Sequence, residues 1–352
     1  MLMKKIILPI LVIALTLFSC IGTYDFDTDM YKRKVVIESF INPDSVIKVT
    51  VAWNTPANEV SDIYIINGVL VHTTDIEYID GALVQIEEDG VLTVSGTTVN
   101  GVLSSDVYPA AGKSYRLSVK VEGEPEVTAA TSIPLPADIS CSIREKLRDS
   151  YTYVFDGIEY VMQPYSMLEY IAADVTDIAL PAETPAVWIT GYVKYENGNV
   201  VGAGGFSDLY SNSPYLDQVN AVGDNSDVLL RESNVAYERG VIRIQRSALS
   251  FALPFTFSMR VFQSISVDVL DEQGERIDLE RFYAEQFLLH LISPSDEYDR
   301  YRRSAIKQDL IYGSLFSSDP VSVYSNIRNG TGIFAGYSSA AVALPINKPV
   351  QE

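Results

Sequence analysis

The chain has 352 residues, 47% hydrophobic and 11% aromatic, with 26 basic and 46 acidic residues and a net charge of −20. That length allows two domains of ordinary size and that hydrophobic content fills their cores, which excludes a disordered chain. The acidity excludes nucleic acid, whose phosphates demand basic patches, and argues against anionic lipid as a broad-surface partner, while it suits solubility and cationic or metal-bearing ligands.

The first element is a three-part N-terminus. Lys4 and Lys5 precede an apolar run from Ile6 to Phe18, and Leu17-Phe18-Ser19-Cys20 closes the segment. The run is shorter than the ~20 residues a helix needs to cross a bilayer and has the length of a signal-peptide core. Its end resembles a lipobox, in which a Leu three residues before a Cys and a small residue just before it precede lipidation; Phe18 is bulkier than that pattern. The reading is a lipoprotein signal peptide over residues 1–19 and lipidation of Cys20. The alternatives are a plain secretory signal with an incidental Cys, or a core strand. An acyl anchor holds strongly, each buried methylene contributing about 0.8 kcal/mol. Removing Lys4 and Lys5 lowers the 26 basic residues to 24 against 46 acidic, a net charge of −22. The other cysteine is Cys141. With Cys20 acylated, no disulfide forms within the chain, and the fold must stand on its cores.

Residues 20–33 read as a lipidated tether. Ile21 and Gly22 follow the Cys, so no Asp stands there to signal inner-membrane retention, and Asp25, Asp27 and Asp29 alternate along the tether. Such acids resemble surface-export signals of lipoproteins; a solvated spacer explains them equally.

From Lys34 the pattern predicts strands. Lys34–Phe40 is β-branched and apolar, Asn42-Pro43-Asp44 is a turn, and Val46–Trp53 alternates. Residues 54–80 read as an irregular insertion, extended near 63–71. Ala82–Glu87 and Val91–Val94 flank the hairpin turn Glu88-Asp89-Gly90. After Tyr108-Pro109-Ala110-Ala111-Gly112, the residues Tyr115, Leu117, Val119 and Val121 share one parity, so one strand face is apolar. This looks like a late strand of a fibronectin-III or immunoglobulin-like sandwich over residues 34–133, closed by Val127–Ile133. Pro134-Leu135-Pro136 reads as a stiff linker.

Residues 137–352 predict a second, larger β-sandwich. Ile139, Cys141 and Ile143 alternate, so Cys141 reads as a buried core thiol. Strands are expected at 152–161, 164–174, 186–195, 241–246, 256–270 and 284–292, with a hairpin turn at Asn197-Gly198 and long loops over 202–237. One helix is expected near residues 294–310. Ser293 caps it, Pro294 takes its first position, Asp296 its third, and Tyr298, Tyr301, Ala305 and Leu310 form its apolar stripe. The fold class is therefore all-β, two sandwiches and one helix.

The tail, Pro320-Val-Ser-Val-Tyr-Ser-Asn-Ile-Arg-Asn-Gly-Thr-Gly-Ile-Phe-Ala-Gly-Tyr-Ser-Ser339, is similar to the closing motif of a Bacteroidetes outer-membrane lipoprotein family catalogued as domain of unknown function 4249. The order of the Lys34–Trp53 strands, the Tyr108–Leu117 segment and the Ser293–Leu310 helix is similar too. The insertion at 54–80 and the acidic loops at 207–232 depart from it. The resemblance implies an outer-membrane, cell-surface lipoprotein, often encoded beside TonB-dependent receptors, with no catalytic residue to carry over. Physically, Gly330, Gly332 and Gly336 suit positive φ or close backbone approach around a Phe334 core plug.

The search for chemistry yields little. Gly112-Lys113-Ser114 ends like a phosphate loop, but position 107 is Val and a strand follows, so Lys113 reads as a turn residue. His72 and His290 are the only histidines, and neither has a second ligand at metal spacing, so both read as structural. No Gly-x-Ser-x-Gly elbow appears, although triads can assemble from distant residues. Asp217 and the Gly223–Asp227 loop carry oxygen ligands but miss the EF-hand order, so a solvated loop is favoured. No catalytic residue, cofactor or metal ligand is expected. Three functions remain: a ligand-capture or accessory partner of a TonB-dependent transporter, a structural or adhesive surface protein, and, least favoured, a hydrolase working through paired carboxylates.

Overall fold

The computed structural model describes residues 33–54, 63–66, 69–72, 76–147, 151–155, 157–162, 168–202, 204–211, 229–230, 241–249, 253–262, 264–270, 274, 276–312 and 322–346. By compactness, residues 1–34 with 53–77 form one unit and residues 35–52 with 78–352 the other. In the first unit, the extended stretch expected near 63–71 is a hairpin of β3 (Ile63–Ile66) and β4 (Val69–His72). There Trp53 N–H also donates to Glu77 O.

The second unit opens with β1 (Val35–Ile41) and all but the last residue of β2 (Lys48–Trp53). Asn42 Oδ1 accepts the Asp44 N–H at 2.9 Å, closing the turn between them as an Asx side chain does. Next come β5 (Leu83–Glu88), β6 (Val91–Thr97), β7 (Val102–Ser104), β8 (Lys113–Lys120) and β9 (Val127–Ile133). Asp89 and Gly90 take φ of 49° and 83° in the β5–β6 turn, the left-handed pair that a tight hairpin needs. Tyr115, Leu117 and Val119 are buried on one face of β8, as their shared parity requires.

Beyond Pro134–Pro136 lie β10 (Asp138–Leu147), β11 (Tyr151–Phe155), β12 (Ile158–Met162), β13 (Leu168–Ala179), β14 (Ala186–Tyr195) and β15 (Val200–Gly202). Then follow β16 (Gly204–Ser211), β17 (Leu229–Leu230), β18 (Val241–Gln245), β19 (Phe255–Phe262), β20 (Ser264–Leu270), β21 (Arg276–Pro294), the helix α1 (Asp296–Tyr312) and β22 (Thr331–Pro345).

The all-β class holds, and among the described residues α1 is the single long helix. A ten-stranded sheet runs β17-β18-β14-β21-β22-β1-β2-β7, with β15 added to β14 and β20 to β21. Four-stranded sheets run β6-β5-β8-β9 and β10-β13-β19-β16. Val187, Ile189, Phe287, Leu289 and Leu291 of the large sheet pack with Ala173, Val175 and Val261 of the second small sheet in one core. Burying each Val, Ile, Leu or Phe among them contributes about 1.5–3 kcal/mol.

Strands from both sides of Pro134–Pro136 share the large sheet, because β1 pairs in parallel with β22. Gly332 makes that pairing possible. It stands opposite Ile37 at φ +105°, and a Cβ there would sit 2.0 Å from Ile37 O.

Three local expectations are corrected. Ser293 and Pro294 end β21, so Ser295 caps α1, accepting the Tyr298 N–H on its Oγ at 3.1 Å. Residues 202–237, expected to be loops, contain β16 and β17; β16 is the edge of its sheet, where a strand needs little apolar sequence. The strand expected over 256–270 is two strands that join different sheets, β19 and β20. Cys141 packs against the core, half-buried beside a β-bulge, and burial pushes its thiol pKa up.

A buried ion pair ties α1 to the large sheet. Arg243 of β18 meets Asp299 of α1 through Nε and Nη2, each at 2.7 Å, and Trp188 Nε1 donates to the same carboxylate at 2.9 Å. Both charged side chains are almost fully buried.

Candidate functional site

The tail motif and β9 build a concave, partly polar surface of the second unit. Asn326 clamps the chain upon itself: Oδ1 accepts the Phe334 N–H at 3.0 Å, while Nδ2 donates to Phe334 O at 2.7 Å and to Ala130 O at 3.0 Å. Arg328 and Thr128 exchange backbone hydrogen bonds, and Asn329 Nδ2 donates to Glu126 O. Phe334 is fully buried, as its reading as a core plug requires. Gly336 lies where β22, β9 and the start of α1 meet. Its N–H donates to Thr131 Oγ1, its carbonyl accepts the Ser295 N–H, and a Cβ would stand 2.2 Å from Ser132 O.

Two open depressions flank this junction and share Arg116 and Ala130. One, of about 770 Å³, is lined by Glu87, Asp89 and Gly90 of the β5–β6 hairpin, Ser114–Arg116 of β8, Ala130–Ser132 of β9 and Glu297 of α1. The other, of about 470 Å³, adds Thr128, Ala129, Asn326 and Arg328. Carboxylates therefore gather in the first depression, Arg328 and the Asn326 amide in the second, and Arg116 lines both.

Several of these groups are engaged by the fold. Lys113 Nζ donates to Asp89 at 2.7 Å, and that bond, helped by the Ser114 N–H, holds the Asp89 carboxyl below its usual pKa. Lys113 is thus part of a hairpin ion pair at the foot of β8, in keeping with a turn residue. Thr131 Oγ1 donates to Glu297 at 3.0 Å. The Tyr115 hydroxyl donates to Glu88 and accepts the Ala110 N–H, each at 2.7 Å; burial and the Glu88 carboxylate push its pKa well above the usual phenol value. Arg116, exposed on β8, is free to meet a ligand. The lining offers carboxylates, guanidinium groups, hydroxyls and an amide, all groups that form ion pairs or hydrogen bonds.

The other residues singled out in the sequence fall elsewhere. Cys20, the tether acids, Asp217 and the 223–227 loop lie outside the described residues. His72 is on β4. His290, on β21, is half-buried with its ring edge toward Tyr192 at 6.1 Å; burial pulls its pKa down, while the Asp44 charge pulls it up. Among the described residues no three His, Cys, Asp or Glu side chains gather as a metal would require. Sequence reasoning saw the glycines of the tail but missed Asn326, Arg116 and the Arg243–Asp299 pair. A lone Arg within Val241-Ile-Arg-Ile-Gln245 was the available signal for the last.

No curated protein and no solved structure matches the chain. A family model described as a domain of unknown function (DUF4249) matches residues 21–341, nearly all of the chain, and the protein belongs to that family.

Proposed function

We propose that the chain is a non-enzymatic, lipid-anchored outer-membrane protein that works at the cell surface as a ligand-capture or accessory partner of a TonB-dependent transporter. The observation that carries the reading is the junction at Cys20: the signal-like segment ends in Leu17-Phe18-Ser19-Cys20, and the family match begins at the next residue. The open, polar depressions around Arg116 support binding rather than bond-breaking. Loops and sheet surfaces on a rigid β scaffold are a common seat of recognition.

The immunoglobulin-like reading of residues 34–133 is favoured by two features. Strands β1, β2 and β7 lie in one sheet and β6, β5, β8 and β9 in another. Tyr115, near the start of β8, bonds back to Ala110, the arrangement of a tyrosine corner. Such a module also serves adhesion, and structural or adhesive use is the second reading.

The test has two arms. Mass spectrometry of the mature N-terminus is expected to find acylated Cys20, and Cys20→Ala to release the protein from the membrane. Gentle detergent extraction is expected to bring down a large β-barrel with the wild-type chain. An unmodified N-terminus other than Cys20 would sink the anchor. A solitary protein whose deletion impairs adhesion and leaves nutrient uptake intact would establish the second reading instead.

A further inference from the structure

One face of the large sheet carries polar atoms that the fold leaves unanswered. Trp188, Thr190 and Tyr192 of β14 share that face by the period of two, and Trp188 reaches Asp299, so it is the face that α1 covers. Across the ladder, Trp188 pairs with Ile292, Thr190 with His290 and Tyr192 with Leu288. His290 in turn pairs with Ala341 and Leu288 with Ala343, two small, exposed residues of β22.

The helix delivers a cation to the same face. Tyr298 packs on Tyr337 at 5.0 Å between ring centres, and Asp299 marks the Trp188 row. Arg302 follows one turn later, about 4.5 Å along the helix, on the side that carries Tyr298 and Asp299, and so faces the same strands. Burial pushes the Tyr298 pKa up, the Arg302 charge opposes that rise and Tyr337 and Tyr192 add to it, so all three side chains lie in the neighbourhood of Tyr298.

Three atoms here are buried without a hydrogen-bond partner: Thr190 Oγ1, His290 Nδ1 and Arg302 Nε. Thr190 is only 7% exposed. None of the ion pairs formed among the described residues involves Arg302, in a chain where acids outnumber bases. Buried polar atoms are almost always bonded, and leaving one without a partner is costly, so an unanswered trio calls for something to answer it. All three can donate: the guanidinium always, the hydroxyl freely, and the imidazole in its Nδ1–H form. The Tyr337 hydroxyl accepts from Asn42 Nδ2 at 2.9 Å and keeps its own proton to offer. The nearby acid, Asp44, is exposed and takes the Ser339 hydroxyl.

We propose that the space between α1 and the Thr190–His290 row binds a small oxyanion, a carboxylate or a phosphate group, held by Arg302 Nε, Thr190 Oγ1 and His290 Nδ1. The site is separate from the Arg116 depressions and stands whether or not the chain is lipid-anchored.

The test uses the full chain in detergent with ¹⁵N-labelled histidine. Of its two histidines, the His290 signal is assigned by its loss in His290→Gln. Acetate and inorganic phosphate are titrated against chloride at matched ionic strength. The expected result is a saturable shift of the His290 ring nitrogens with at least one probe, weakened at least about tenfold in Arg302→Gln and in Thr190→Val. Acetate as the tighter probe assigns a carboxylate ligand, phosphate a phosphorylated one. No saturable shift with either, or a shift that both variants leave unchanged, overturns the proposal and leaves ordered water as the partner of the three atoms. Should Arg302→Gln fail to fold by circular dichroism, Thr190→Val, which removes one hydroxyl, decides by the same criterion.

Discussion

Single residues carry much of this structure, and Asp299 is the clearest case. Its carboxylate answers a buried guanidinium and an indole N–H at once. Asp299→Ala leaves Arg243 charged and buried, with an expected loss of about 3–5 kcal/mol. The double change Arg243→Met with Asp299→Leu removes both charges and is expected to lose much less; urea unfolding of the two variants checks this. His290 gives a pH signature. Burial holds its folded-state pKa below the unfolded value of about 6.5, so the unfolded chain takes up the proton first as pH falls. Its share of stability is therefore present above that pH and lost on acidification through it. In a buffer free of oxyanions, His290→Gln is expected to flatten the fall in thermal midpoint between about pH 7 and 5.

At the scale of elements, β21 is two strands in one. Its C-terminal half lies between β14 and β22, with Phe287, Leu289 and Leu291 fully buried. Its N-terminal half pairs with β20 in a ribbon whose Val267, Ile277 and Leu279 are 40–63% exposed. A two-stranded ribbon alone is marginally stable, and local opening follows local burial. Amide hydrogens of residues 276–281 are expected to exchange with solvent orders of magnitude faster than those of 287–291; equal protection by mass spectrometry would show the ribbon covered. The helix illustrates how far sequence pattern reached at this scale. Its position and first-turn acids were legible, but the cap moved from Ser293 to Ser295, because β21 keeps pairing with β22 through Pro294.

For the whole molecule, the consequence of the parallel β1–β22 pair is cooperative dependence. A fragment of residues 137–352 keeps β22 but lacks β1 beside it and β9 across Gly336, exposing Ile333 and Phe334. Such a fragment is expected to be insoluble or to lack a cooperative unfolding transition, as read by calorimetry. A fragment that folds on its own would instead establish Pro134–Pro136 as a true domain boundary.

The sequence by itself determined what depends on near neighbours. The alternating parity of Tyr115, Leu117 and Val119 set the buried face of β8, Asp89-Gly90 set a hairpin, and the glycines around Phe334 marked close backbone approach. The tail motif identified the family. Only the tertiary structure decided the rest. That Arg116, Glu297 and Arg328 line neighbouring depressions, that Arg243 meets Asp299, and that β1 lies against β22 are all relations between residues far apart in the chain. No periodicity encodes such contacts, because strand pairing and helix docking are chosen by the burial of whole faces, not by the local run of residues.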